Sequence, residues 1–471
     1  MSAGTGRGPG PEGLGVLAVL LKRARDPFRV MVDLAREYGD VVEVRVGDTR
    51  HFLVSSADLA RYVLVENGDN YEKGPGYALW GRVLGKGLVT SDGEHWRTHR
   101  RLVQPSLHPD RMGGFVDLMA EVAESEARRL AASSGGVVDL FDRTTRITLR
   151  IAARAFLGSD LREREDEVCE ALVQVFEHIQ GLSASPLRAL ALLPGIRMLH
   201  PLLRSLQARA GTGERRFDEA LETLDAAIGA VIRRRRATVA QGEVGDDLVS
   251  RLLAAASEDP ETRLTDRDVR DEVMTMFVAG HETTATGLAW CLRLLADHPE
   301  HQQRIADEAR TGLGEGRVTL AALDRLPHAR RVFQESLRLY PPVWRLSRCA
   351  READRLGRVQ VPAGSTVIIS PWMIHRDPAA WPDPDRFDPG RFDDPSWPRS
   401  SYLPFGGGRR MCPGGGFATV EAQVVLATLA RRVVLRPVTP APPLFEPRLT
   451  RRPRGGMPLR VLAPDPAPST P

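Results

Sequence analysis

The stretch PFGGGRRMCPGGGFA, Pro404 to Ala418, decides how this chain is read. It sets one cysteine, Cys412, among six glycines and two arginines, directly before the helix-like run TVEAQVVLATLARR. A thiolate that ligates a metal needs a deprotonated sulfur, a backbone that can come close to the cofactor, and donors that temper the sulfur. Gly406, Gly407 and Gly408 permit a tight turn without side chains to block a flat ligand. Pro413 suits the first turn of a helix, which puts Cys412 at a helix N-terminus where free amides and the dipole lower a thiol pKa. Gly414 lets that turn lie close under the ligand. A competing reading makes the loop an anion nest in which Arg409 and Arg410 hold phosphate and the cysteine is incidental.

The rest of the chain allows a buried cofactor. Its 471 residues suffice for roughly three average domains, or one large one, and 42% hydrophobic with 27% charged residues describes an ordinary globular protein. The formal charge of +4 comes almost wholly from arginine, since Lys22, Lys73 and Lys86 are the only lysines. Such a bias reflects coding preference and, without a recognised motif, gives no case for nucleic-acid binding. Cys169, Cys291, Cys349 and Cys412 show no CxxC spacing and suit a reducing compartment. The apolar run Leu14 to Leu21 falls short of the ~20 residues that span a bilayer, so no membrane span and a cytoplasmic location are expected. Residues 1–20 and 463–471 read as flexible tails around a single domain, 21–462.

Helical periodicity dominates, over 116–132, 163–179, 216–236, 267–296, 300–311, 329–339 and 418–432. Short β-rich runs, VVEVRVG, RHFLVSS and STVIIS, suggest small sheets. Residues 71–95 and the proline-rich 371–413 read as long irregular segments, which inside a compact domain tend to be functional. No Walker A sequence, no GxGxxG after a strand, and no HExxH or other zinc-type histidine spacing is recognised.

Phe405, Gly408, Arg410, Cys412 and Gly414 match FxxGxRxCxG, and by this signature the chain resembles the cytochrome P450 family of haem-thiolate monooxygenases; Ala418 matches its usual continuation. AGHETT, Ala279 to Thr284, resembles the family's oxygen-activation motif. There Gly280 removes a side chain where a diatomic ligand must fit, and a Thr hydroxyl can bond a carbonyl one turn back and open the helix. Glu282 and Thr283 are then expected to relay protons with water. Glu335 and Arg338 match ExxR, and Arg386 in PDRF completes the family's salt-bridge network, whose role is structural. Trp96 and Arg100 match WxxxR and, with Arg348 and Arg410, are expected to meet the haem propionates; His375 in HRDP is a further candidate.

The resemblance extends from about residue 25 to 460 and implies a mainly α fold with small β-sheets. Haem b would lie between the AGHETT helix and the cysteine helix, with Cys412 as axial thiolate. The implied reaction inserts one oxygen atom of O2 into a C–H bond of a hydrophobic small molecule, here a terpenoid or other secondary metabolite, with a polyketide or fatty acid as the alternative. Electrons would come from a ferredoxin and an NAD(P)H-dependent ferredoxin reductase, docking near Arg97, Arg101 and Arg409. The substrate wall is expected from Tyr77, Leu79 and Trp80, the segment 175–206, Met274, Phe277, Val278, Val343 and Trp344. Rival readings are a non-catalytic haem sensor, a peroxide-driven oxygenase, and a nucleotide-binding module around the glycine loop.

Overall fold

The computed structural model describes residues 26–464 apart from 47, 109–111, 159–162, 185–210, 259–263 and 315, together with residues 8–12 and isolated positions up to 22. The chain is mainly helical. Its long helices are α1 (Pro27–Tyr38), α2 (Gly93–Val103), α3 (Gly113–Ala132), α4 (Leu140–Leu157), α5 (Glu165–Ala184), α6 (Gly211–Ala240), α7 (Leu248–Glu258), α8 (Asp266–Asp297), α9 (Pro299–Leu313), α10 (Pro327–Leu339) and α11 (Gly415–Ala430).

Local chemistry sets their ends. In α1 the Asp26 carboxylate accepts from the amides of Phe28 and Arg29, Pro27 supplies a preset first turn, and Gly39 at φ 92° ends the helix. The central helix α8 opens on a capping box, Thr265 with Asp268. From residue 271 to 296, α8 is buried all round except at Ala279, Gly280 and Thr283. A helix buried on every side lies in the middle of a core, and α4, α6, α10 and α11 pack around it. Between α4 and α8 the Thr144 and Thr148 hydroxyls donate to the carbonyls of Ala285 and His281 at 3.1 and 3.0 Å.

Five strands make the main sheet: β1 (Val41–Val46), β2 (Thr49–Val54), β3 (Tyr71–Glu72), β4 (Leu346–Ala350) and β5 (Thr366–Ile369), in the order β1-β2-β5-β4-β3. Only β2 and β5 run parallel. The β3–β4 register pairs Tyr71 with Ala350 and Glu72 with Cys349, so the next step carries Lys73 opposite Arg348. The segments read as irregular carry some structure. Residues 71–95 hold β3, short helical turns at Pro75–Trp80 and Gly81–Leu84 and the start of α2, and 371–413 holds short helical turns between stretches without regular structure. Part of the expected N-terminal tail is docked, with the Gly8 amide donating to Glu43 Oε2 at 2.6 Å and the Glu43 amide to Pro9 O at 2.8 Å.

Candidate functional site

The cysteine loop closes on itself. The Cys412 amide donates to the Phe405 carbonyl at 2.9 Å and the Met411 amide to Gly408 at 3.0 Å. Gly406 and Gly408 adopt φ of 75° and 66°. A Cβ on Gly408 would stand 1.9 Å from the Leu64 carbonyl oxygen, so no other residue fits there. Helix α11 begins at Gly415 with Gly414 as its N-cap, so Pro413 precedes the helix rather than starting it. The Gly414 amide hydrogen-bonds the sulfur.

Cys412 has accessible surface, yet its thiol is deep enough for desolvation to dominate its acidity. Both hold if the sulfur lines an interior space rather than the outer surface. Burial pushes the thiol pKa up, opposed by the Gly414 amide and the charges of Arg100 and Lys73. The half-accessible face of α8 at Ala279, Gly280 and Thr283 is a matching feature inside the core. Phe156 of α4 bridges the two helices, with its ring 5.8 Å from that of Phe417 and 3.2 Å from where a Gly280 Cβ would stand. Glycine at 280 therefore lets Phe156 of α4 approach α8 closely, while the position keeps accessible surface.

Cations gather beside the cysteine. Arg348, buried in β4, donates to the Ser347 carbonyl, and Arg410 lies over the Trp96 ring at 4.1 Å while donating to Ser91 O and pairing with Asp92. Arg100 bonds Gln104 at 2.9 Å. Lys73, unnoticed in the sequence, joins them with its ammonium 4.5 Å from the Tyr77 ring centroid. Burial, then the charges of Arg348 and Arg410, push its pKa down to about 7. A group so crowded by like charge fits an anionic ligand. The residues therefore suit haem: an inward-facing thiol, a wall without bulky side chains, and a buried cationic cluster for two carboxylates.

On α8 the Thr283 hydroxyl donates to the Ala279 carbonyl one turn back at 2.8 Å. Glu282 points elsewhere. Its carboxyl, 3% exposed, accepts from Thr450 Oγ1 at 2.9 Å and Gln180 Nε2 at 3.4 Å, and burial raises its pKa. The acid and the alcohol do not touch, so a proton path between them needs water.

The scaffold behind the loop differs from expectation at two residues. Arg338 grips Glu335 through Nε and Nη2 at 2.7 and 2.8 Å, and donates to the carbonyls of His375, Pro384 and Arg386. The second guanidinium on Glu335 is that of Arg391, at 3.4 Å. Arg386 contributes its carbonyl alone to this network, because the turn Pro389–Phe392 carries Arg391 to the carboxylate instead. His375 is no propionate ligand: its Nδ1 meets Arg338 O at 3.1 Å and its Nε2 accepts from the Leu403 amide at 2.7 Å, so both ring nitrogens are engaged. It ties the ExxR helix to the start of the cysteine loop.

The expected substrate wall is also revised. With 3.6 residues per turn, Met276 shares the face of Ala279 and Thr283, whereas Met274, Phe277 and Val278 turn away; all four are buried. Trp344 is buried against Phe28, its indole donating to Arg448 O at 3.1 Å. Trp80 packs on Phe176, and Tyr77 lies beneath Lys73. Val343 keeps accessible surface. The side chain of Leu79 and residues 185–206 lie outside the described residues.

Residues 9–459 match the family model described as Cytochrome P450. The chain is 36% identical to "Cyclooctatin synthase" of Streptomyces melanosporofaciens, over 91% of this chain and 90% of that protein. It is 34% identical to "Cyclooctat-9-en-7-ol 5-monooxygenase" of the same organism, over 92% and 90%. The crystal structure of the cytochrome P450DA heme domain superposes with a TM-score of 0.82 at 25% identity, covering 97% of this chain and 98% of that one.

Proposed function

The chain belongs to the cytochrome P450 family and is an oxidoreductase, and from that premise we propose that it hydroxylates a terpenoid or related hydrophobic secondary metabolite using O2. The observation that carries the reading is Cys412 lining an interior space beside the cluster of Lys73, Arg100, Arg348 and Arg410. The terpenoid class rests on the relatives named "Cyclooctatin synthase" and "Cyclooctat-9-en-7-ol 5-monooxygenase". No helix among the described residues is long and apolar enough to cross a membrane.

Cys412 would hold haem b, which when bound would supply a thiolate-ligated iron for oxygen chemistry. The Gly414 amide tempers the sulfur, and the cationic cluster receives the propionates. Met276, Ala279 and Val343 give the substrate an apolar wall that excludes water. Thr283 holds a proton at Oγ1, donated to the Ala279 carbonyl, and Glu282 stands behind it as a buried acid replenished through Thr450 and water. Two electrons arrive from a ferredoxin and its NAD(P)H-dependent reductase in the cytoplasm. An acidic ferredoxin would meet the exposed Arg97, Arg101 and Arg409.

The test is a reduced carbon-monoxide spectrum followed by turnover of a terpenoid panel with ferredoxin and reductase, and separately with peroxide. A thiolate-type red-shifted Soret band and ferredoxin-dependent hydroxylated product are expected. A colourless protein, or turnover by peroxide alone, overturns the reading.

A further inference from the structure

Helix α2 presents a second face that the oxygenase reading does not use. One residue ahead of Trp96 and Arg100 stand His95 and His99, whose rings stack at 3.9 Å. The i,i+4 spacing puts them on one side of the helix, and that side meets the first turn of α8. There Asp268 completes a group of three whose candidate ligand atoms all lie within 4.8 Å of one another. No zinc-type histidine spacing marks this group in the sequence. The partner that gives His95 and His99 meaning is 169 residues away from His99 in the chain, counted as 268 − 99.

The hydrogen bonds around the trio fix which atoms are free. His95 Nε2 lies 2.9 Å from the Lys86 carbonyl, which can only accept, so that nitrogen carries the proton and Nδ1 keeps its lone pair. His99 Nδ1 lies 2.8 Å from the Glu272 carboxylate, so it too donates and leaves Nε2 as the lone-pair nitrogen. Both hydrogen bonds to Asp268 from Thr265, at 2.9 and 2.6 Å, fall on Oδ2. His95 Nδ1, His99 Nε2 and Asp268 Oδ1 therefore have no hydrogen-bond partner among the described residues. His99 is 5% exposed as a residue, with its Nε2 turned toward His95 and Asp268.

The surroundings have the form that metal-binding imidazoles take. A ligating histidine commonly donates its other N–H to a carboxylate or a backbone carbonyl, which fixes the tautomer and raises ligand basicity. His99 has the carboxylate and His95 the carbonyl. Glu272 is itself anchored, its other oxygen accepting from the Leu88 amide at 3.2 Å, and it is 1% exposed.

We propose that His95, His99 and Asp268 bind a divalent transition-metal ion of the zinc type, with Glu272 and the Lys86 carbonyl orienting the two imidazoles. A two-nitrogen, one-oxygen set suits zinc, with water in the fourth position. His95 is partly accessible and provides the way in. Bound there, the ion joins α2, which carries Trp96 and Arg100, to the first turn of α8 and to the loop through Lys86 and Leu88. It would act as a clamp on the cationic side of the site. This proposal is independent of the oxygenase reading.

The experiment is equilibrium dialysis of chelator-stripped holoprotein against zinc chloride, with bound metal read by plasma mass spectrometry. One zinc per chain beyond the iron is expected for the wild type, and background in His95→Ala and Asp268→Asn. Glu272→Gln should weaken zinc binding about 10- to 100-fold, and zinc should raise the Tm of the wild type but not of His95→Ala. The reduced carbon-monoxide band of each variant, measured on the same samples, reports the integrity of the fold and the haem site separately. Equal zinc stoichiometry in wild type and His95→Ala, or no zinc on the wild type at micromolar concentrations, overturns the proposal.

Discussion

Arg391 places its guanidinium 3.4 Å from the carboxylate of Glu335, on the side that Arg338 leaves open. All three are nearly or fully buried, and Asp388 adds an amide bond to the same carboxylate at 3.0 Å. Removing the Arg391 guanidinium takes away the weaker of two cationic partners, since Arg338 keeps both carboxylate oxygens, and costs about 1–3 kcal/mol. Arg391→Ala should therefore lower the urea midpoint and speed haem loss, because the support of the cysteine loop is weakened. Arg386→Ala should do little, since its carbonyl survives the substitution. Equal losses in the two variants would return the network role to Arg386.

Lys73 offers a direct test of the cationic cluster. Its ammonium is held down to about 7 by burial and by Arg348 and Arg410. Two carboxylates at the cluster reverse that effect and make Lys73 a charged donor. A hydrogen bond to a charged group contributes about 1.5–3 kcal/mol, so Lys73→Met should lose haem roughly 10- to 100-fold faster to excess apomyoglobin. An unchanged rate places the propionates away from Lys73.

Much of this arrangement was legible in the sequence, and the failures share a cause. Long amphipathic runs and the glycine turn around Cys412 are local signals, and they located α3, α5, α6, α8, α9, α10, α11 and the loop, while α1, α2, α4 and α7 were missed. Helix α4 escaped because its buried face carries Thr144 and Thr148, polar residues whose hydroxyls are spent on carbonyls of α8. PDRF and PGRF sit five residues apart, and only the path of the loop tells which arginine reaches Glu335. Lys73 did leave a trace, as one of three lysines in an arginine-rich chain. His95 and His99 acquire a possible ligand role only through Asp268, which no local spacing reveals.

Thr283 and Glu282 make a further prediction. Thr283 donates to Ala279 O, and Glu282 is held away from it by Thr450. Thr283→Ala should leave NAD(P)H consumption nearly intact while product coupling falls and peroxide rises, by the 10²- to 10⁴-fold range typical of a proton-transfer group at its upper end and several-fold at least. Thr450→Val should alter the pH profile of coupling without affecting the carbon-monoxide band. Unchanged coupling in Thr283→Ala removes the relay.

Ferredoxin docking distinguishes three arginines that look alike in sequence. Arg97 is paired with Glu94 at 3.1 Å and Arg409 with Asp69, whereas Arg101 has no ion-pair partner among the described residues. Charge reversal at Arg101 should slow ferredoxin-supported reduction more than reversal at Arg97, several-fold at low ionic strength. Salt should narrow the difference as the Debye length falls toward about 3 Å near 1 M. A salt-independent or equal response in both variants removes this face as the docking site.

Acid stability follows from two histidines buried in the neutral form. Burial lowers the pKa of His375 to about 3 and of His281 to about 4, from an ordinary 6.5. Each is a base with a depressed folded-state pKa, so the unfolded chain binds the extra proton as pH falls. Their contribution is complete above pH 6.5 and declines toward the folded-state values. Between pH 7 and 5 each should reduce stability by about 2 kcal/mol. His375→Gln keeps an acceptor for the Leu403 amide and a donor for Arg338 O, but cannot take the proton. Urea unfolding followed by circular dichroism should therefore show a smaller loss between pH 7 and 5 in His375→Gln, by about 2 kcal/mol. A variant that is weaker than wild type at both pH values by the same amount would mean that His375 is protonated in the fold as readily as in the unfolded chain, contrary to its two occupied ring nitrogens.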